Sequence, residues 1–231
     1  MASKSAPILD LFEDPDHAAQ YATGPARFVP GFASLHQMAS ILMRETVPEQ
    51  AHILVHGAGG GLELEAFAKL NPGWRFTGVD PAQPMLDAAQ ARLGSLSDRV
   101  SFVHGYAEDT PAGPYDAATS FLTLHFLDAK ERTKAVSEIV QRLKPGAPFI
   151  TVHCSFPQAP DLRDLWLTRH RDYVISSGVP PEEAESARQS ISENLELFDP
   201  RIDEEILRNA GLTKVAQFYA AFTWRGWVGW A

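Results

Sequence analysis

Residues 51–80 read AHILVHGAGGGLELEAFAKLNPGWRFTGVD. Ile53-Leu54-Val55 is an apolar run of the length of one buried strand. Gly57, Gly59, Gly60 and Gly61 then turn the chain, and Leu62, Ala66, Phe67 and Leu70 recur at helical spacing. Asn71-Pro72-Gly73 breaks the helix, and a β-rich run from Trp74 to Val79 stops at Asp80. Strand, glycine turn, helix, strand and acid make one βαβ unit of the kind that holds a nucleoside.

The segments that follow repeat the period. Met85, Leu86, Ala89 and Leu93 give a second helix, entered through Pro81-Ala82-Gln83-Pro84. Val100–His104 alternates as a third strand, and residues 105–111 (GYAEDTP) form a polar loop. Tyr115–Phe121 reads as a fourth strand. Asp128-Ala129-Lys130-Glu131 is a capping box ahead of Val136, Ile139, Val140 and Leu143, and Phe149–Val152 is a fifth strand. This alternation predicts an α/β fold, a Rossmann-like doubly wound and mostly parallel sheet. The aromatic and β-branched stretch from Thr213 to Trp230 adds a C-terminal antiparallel hairpin, giving seven strands.

Two regions lie outside that period. Residues 1–48 form an expected N-terminal helical lid, whose Phe32–Met43 segment places Phe32, Leu35, Met38, Ala39, Leu42 and Met43 on one face. Tyr21 and Phe32 are its candidate aromatic contacts, with simple covering of the sheet as the plainer role. Residues 157–210 form an expected helical insertion carrying 12 acidic and 6 basic residues. The α/β core is then 49–156 with 211–231, all within one domain.

The 231 residues are 45% hydrophobic, enough for one sizeable core, and their formal charge is −9. That charge, without a basic cluster in sequence, argues against nucleic acid as partner. Cys154 is the only cysteine, which excludes an internal disulfide and a cysteine zinc cluster. No metal is expected, because His104, His125 and His153 lack ligand spacing. No apolar run approaches the roughly 18 residues of a membrane span, and MASKSAPILDLFEDPD lacks a leader's apolar region. A cytoplasmic protein is the expectation, and a homodimer stays open.

The glycines decide between nucleoside ligands. A dinucleotide fingerprint would need a third glycine where Leu62 stands, and no Tyr-x-x-x-Lys follows. Gly57, Gly59 and Gly61 fit G-x-G-x-G instead. With Asp80 ending the second strand, this resembles the class I S-adenosylmethionine-dependent methyltransferases. VDPAQPMLDAA is similar to that family's segment after strand two, GYAEDTP to its adenine loop, RLKPGAPFITV to its turn into strand five, and AGLTKV with RGWVGW to its closing hairpin.

The resemblance implies S-adenosyl-L-methionine as cofactor and in-line methyl transfer to a small-molecule acceptor. It implies that Gly57, Ala58, Gly59 and Gly61 bring backbone against the methionyl and ribose portions, and that Asp80 takes the ribose hydroxyls. Pro81 and Met85 would pack on the adenine, Ala107 would offer it a backbone N–H, and Phe121 would lie beneath the sulfonium. Two positions depart from the pattern. Val55 stands where the family has an acid that orients the methionine end. Glu63 or Glu65 could substitute, with solvated helix carboxylates the plainer reading. Tyr106 replaces the adenine-binding aspartate, and Glu108 could take the N6 amino group or be an ordinary loop acid.

A narrower resemblance is to the carboxy-S-adenosylmethionine synthases, through VPGF (29–32), FLTLHFL (121–127) and ISENLELFDPRIDEEILRNAG (191–211). The arginine that family uses for its extra carboxylate falls at Gln189, with Arg188 one place off. Alternatives to a methyltransferase are therefore such a synthase or a non-catalytic S-adenosylmethionine-binding protein. His125 and His153, at the carboxyl ends of strands four and five, are the candidate catalytic bases, each with a buried structural role as its plainer reading. His56, inside the turn, reads as structural.

Overall fold

The computed structural model describes residues 5–231. The first four residues of the expected lid, and with them the start of the stretch read for a leader, lie outside the described residues. Four helices precede the sheet: α1 (Ser5–Phe12), α2 (Pro15–Gln20), α3 (Pro25–Phe28) and α4 (Phe32–Arg44). The chain then runs β1 (His52–His56), α5 (Leu62–Leu70), β2 (Arg75–Asp80), α6 (Gln83–Leu93), β3 (Val100–His104), β4 (Ala117–Phe121), α7 (Ala129–Gln141) and β5 (Pro148–Cys154). Helices α8 (Pro160–Ser176), α9 (Pro181–Asn194) and α10 (Pro200–Asn209) follow, and β6 (Thr213–Ala221) and β7 (Trp224–Trp230) end the chain.

The seven strands lie in the order β3-β2-β1-β4-β5-β7-β6. The first five are parallel, while β7 runs antiparallel to β5 and β6. The strand order reverses between β1 and β4, which opens a crevice at their carboxyl ends, where ligands of open α/β sheets bind.

Alternation along each strand divides the core in two. Ile53, Val55, Ala117, Phe121, Ile150 and Val152 pack on one side with Leu35, Ala39 and Met43 of α4 and with Leu64 and Phe67 of α5. Leu54, Ala118 and Phe149 pack on the other with Val136 and Ile139 of α7 and Leu207 of α10. Burial on both faces explains why β1 reads as a continuous apolar run instead of an alternating one.

The α4 stripe differs from its sequence-based expectation. Leu35, Ala39 and Met43 are buried as expected, but His36 and Ser40 join them, whereas Phe32, Met38 and Leu42 are only partly buried. Ser40 accepts a 2.9 Å hydrogen bond from Asn71 Nδ2 at the end of α5, which satisfies a hydroxyl that would otherwise be costly to bury. The capping box at α7 has formed, with Glu131 N–H donating to Asp128 and Asp128 N–H donating to Glu131.

Candidate functional site

The turn after β1 depends on its glycines. Gly57 has φ +70°, and a Cβ there would lie 2.0 Å from the Thr123 hydroxyl oxygen. Gly61 has φ +78° and starts α5 against Ala89 of α6, which a Cβ would approach to 2.9 Å. Side chains are excluded on conformational and steric grounds together. Asp80 fastens the turn from β2: one carboxylate oxygen accepts from Gly59 N–H at 2.9 Å and the other from Ala82 N–H at 3.0 Å. Burial raises the Asp80 pKa, and these two bonds pull it back. Each oxygen retains a lone pair for a further donor.

A cavity of about 450 Å³ opens on the α7 side of this turn. Pro81, Tyr106, Ala107 and Glu108 line one wall, and Leu9 and Phe12 of the N-terminal helices close over it. Tyr106 is exposed, and Glu108 is ion-paired with Lys134 at 2.6 Å, so its carboxylate is already engaged at the cavity rim. His56 also lines this cavity. Its Nδ1 lies 3.0 Å from Ser120 Oγ, and burial pushes its pKa down to about 4, so it is neutral near pH 7. Met85 lines neither this cavity nor its smaller neighbour. It packs with Ala18 and Ala82 beneath Phe12 and Tyr21, supporting the turn from behind.

The smaller cavity, about 30 Å³, lies on the α4–α5 side and is lined by Tyr21, Phe32, His36, residues 57–60, Leu62, Glu63, Phe121 and Leu122. His36 stacks on Phe121 with ring centroids 5.6 Å apart. Burial drops the His36 pKa to about 4, and its Nε2 is a buried atom without a hydrogen-bond partner. Burial also raises the Tyr21 pKa, reinforced by Asp80 and Glu63.

Glu63 reverses its sequence reading. It is only 5% exposed, where a solvated helix carboxylate was the plainer expectation, while Glu65 does sit at the surface, paired with Lys69 and Arg92. Burial lifts the Glu63 pKa to about 8. The nearby Thr119 hydroxyl eases that cost, yet Glu63 Oε1 and Thr119 Oγ1 both remain buried without a well-formed hydrogen bond.

The two candidate bases sit elsewhere. His153 is 1% exposed, its Nε2 lies 3.2 Å from Asp203, and its ring is tilted against Trp227. Asp203 in turn is ion-paired with Arg132, tying α7 and α10 to β5. His125 is 4% exposed and accepts a hydrogen bond from Cys154 N–H at 3.3 Å. Burial lowers both pKa values, so both rings are neutral. Neither lines a cavity described above: strand alternation turns His153 toward α10 and away from the crevice. These surroundings match the buried structural role that was the plainer reading of each. Among the described residues, no three His, Cys, Asp or Glu side chains gather in a metal-binding group, and no helix is long and apolar enough to cross a membrane.

Residues 53–146 match the family described as a methyltransferase domain. That match, together with the strand order, supports the class I S-adenosylmethionine-dependent methyltransferase superfamily as the relatives of this α/β core. The chain is similar over nearly its whole length to the carboxy-S-adenosyl-L-methionine synthase of Staphylococcus epidermidis, with 22% identity over 224 residues and 96% of each chain covered. Its fold is that of PigF with S-adenosylhomocysteine (TM-score 0.66, 17% identity, 96% of this chain) and of human N-acetylserotonin methyltransferase in complex with S-adenosylmethionine (TM-score 0.62, 13% identity, 95% of this chain). The chain spans 61% and 57% of those two structures. Its cofactor is S-adenosylmethionine, and the crevice fits that group on its own geometry. A turn too tight for a Cβ at Gly57 lies beside the Asp80 carboxylate, which the turn itself fixes through Gly59 N–H, with the unpartnered Glu63 Oε1 and His36 Nε2 beyond.

Proposed function

We propose that this methyltransferase acts on a small, partly apolar molecule admitted beneath the N-terminal helices. The observation carrying this reading is the lining of the crevice. Leu9 and Phe12 line one side of the half-open cleft at the glycine turn, and Tyr21 and Phe32 line the other, giving apolar walls suited to a small acceptor. Residues 1–48 are accordingly read as the lid and residues 157–210 as a helical insertion bracing it: His170 of α8 lies 2.7 Å from the Phe28 carbonyl oxygen. The formal charge of −9 fits an uncharged or cationic acceptor better than nucleic acid. A cytoplasmic setting is part of the same proposal.

When bound, S-adenosylmethionine supplies a methyl group already activated on a sulfonium. The chain's work is then to bind, orient and exclude water. Gly57, Ala58, Gly59 and Gly61 present backbone to the methionyl and ribose portions. Asp80 takes the ribose hydroxyls, Pro81 and Tyr106 flank the adenine, and Ala107 N–H with Glu108 meets its polar edge. Phe121, steadied by His36, forms the floor near the sulfur, and Met85 holds the turn in place. His36 is better sited than His125 or His153 to receive a proton from an acceptor, since it alone of the three lines a cavity.

Incubation with methyl-tritiated S-adenosylmethionine and, in parallel, a metabolite extract and total nucleic acid tests this reading. Label is expected in a small organic product, and label in RNA or DNA, or none at all, would overturn it. A second reading, carboxy-S-adenosylmethionine synthesis, is favoured by the similarity along the whole chain. Arg188 speaks against it, because its guanidinium is held by Glu185 at 2.7 Å and Asp164 at 3.2 Å. Mass spectrometry of the nucleoside that copurifies with the protein separates the two by the mass of one carboxylate.

A further inference from the structure

The class I pattern places an acid at the position Val55 occupies, and the core shows what stands there instead. Val55 is fully buried and pairs across β1 and β4 with Thr119, so the two side chains share the sheet face that packs on α5. Beside Thr119 lies the carboxyl group of Glu63, contributed by the first turn of α5. Glu63 lines the smaller cavity together with the glycine turn, is 95% buried by its 5% exposure, and keeps Oε1 without a partner. A carboxylate in that position is expensive for the empty protein unless a ligand brings a donor to it.

S-adenosylmethionine carries two cationic groups, the sulfonium and the α-ammonium. An orphaned hydrogen-bond acceptor calls for an N–H donor, and only the ammonium has one. We infer that Glu63 receives the α-ammonium group of the methionyl moiety, performing from helix α5 the recognition that Val55 on β1 cannot. The unpartnered Thr119 hydroxyl stands close enough to share in that contact. The inference rests on S-adenosylmethionine being the ligand of this crevice.

The titratable groups that share the cavity with Glu63 are Tyr21 before α3 and His36 on α4, while Asp80 on β2 acts on Tyr21 from outside the lining. His36 is neutral near pH 7 and Tyr21 is protonated, so an ammonium entering the cavity meets Glu63 as its acid. An ion pair with it fixes Glu63 in its ionised form, and the proton that Glu63 held in the empty protein is released to solvent.

The test is calorimetry with three probes: S-adenosylhomocysteine, its deamino analogue, and 5′-methylthioadenosine, which lacks the whole amino-acid end. Glu63→Gln is expected to weaken S-adenosylhomocysteine at least tenfold while leaving methylthioadenosine within twofold. Wild-type protein near pH 7 is expected to release close to one proton on binding S-adenosylhomocysteine, read from its heat in buffers of different ionisation enthalpy, and none on binding the deamino analogue. This second readout needs no variant, so it stands even if Glu63→Gln fails to fold. Equal affinity of wild type and Glu63→Gln for S-adenosylhomocysteine, with methylthioadenosine still bound, would overturn the inference. So would an equal loss of S-adenosylhomocysteine and of its deamino analogue in Glu63→Gln, which would show that the amino group is not what Glu63 meets. Failure of wild type to bind any of the probes would instead remove the ligand assignment on which the inference rests.

Discussion

Replacing Glu63 by Gln should stabilise the empty protein, and by an amount that grows with pH. An ordinary glutamic acid titrates near 4.5, and burial moves Glu63 to about 8. Between those values the folded protein holds a proton that the unfolded chain has lost. Stability therefore falls as pH rises through this window, the reverse of a salt-bridged carboxylate. Linkage puts the penalty at about 1 kcal/mol at pH 5 and about 4 kcal/mol at pH 8. Gln is close to isosteric and carries no charge, so the variant escapes the penalty. Comparing variant with wild type cancels the opposite trends of His36 and His56, whose pKa values near 4 make the fold gain stability as pH rises toward 6.5. At 2–4 °C per kcal/mol for a chain of this size, the melting temperature of Glu63→Gln should exceed that of wild type by roughly 2–4 °C at pH 5 and by roughly 8–16 °C at pH 8. Thermal unfolding without ligand at both pH values provides the measurement. A gap that is independent of pH, or a Glu63→Gln protein less stable than wild type at pH 8, would show that Glu63 is a satisfied structural group and refute the reasoning.

Two other substitutions follow from the same geometry. Gly57→Ala must place a Cβ 2.0 Å from the Thr123 hydroxyl at φ +70°; strain and overpacking together should cost about 2–5 kcal/mol and reduce S-adenosylhomocysteine affinity by more than tenfold, both measurable by unfolding and calorimetry. Asp203→Ala leaves Arg132 buried without its acid, so a loss of about 3–5 kcal/mol is expected in denaturant unfolding, whereas affinity for S-adenosylhomocysteine at low temperature should hold within twofold, because the pair lies away from the crevice.

Local patterns carried most of the architecture. The 3.6-residue period of α5, the breaks at Asn71-Pro72-Gly73 and Lys144-Pro145-Gly146 and the apolar strand runs are effects within a few residues, and they placed the seven-stranded sheet and the glycine turn. The polar side chains of the crevice were harder to read because their settings depend on distant segments. Glu63 looks solvated in sequence, since the apolar stripe of α5 is set by Leu62, Ala66, Phe67 and Leu70. It is buried because the left-handed Gly61 starts the helix over β4, where Thr119 waits from 56 positions along the chain. His36 falls inside an apolar stripe, and only its stacking on Phe121 brings it to the cavity. The reverse happened at β5. Position at a strand's carboxyl end suggested His153 for catalysis, but alternation decides the side, and its partner Asp203 comes from a helix 50 residues later. The one sequence signal that pointed to Glu63 was negative: an acid missing at Val55 in an otherwise complete motif.

The central claim is that the turn at Gly57–Gly61, fastened by Asp80, holds S-adenosylmethionine. Calorimetric titration of S-adenosylhomocysteine into wild type and Asp80→Ala tests it most directly. Saturable one-to-one binding by wild type, weakened at least tenfold in a folded Asp80→Ala protein, is the predicted result. No saturable binding by wild type, or equal affinity in both proteins, would contradict the account.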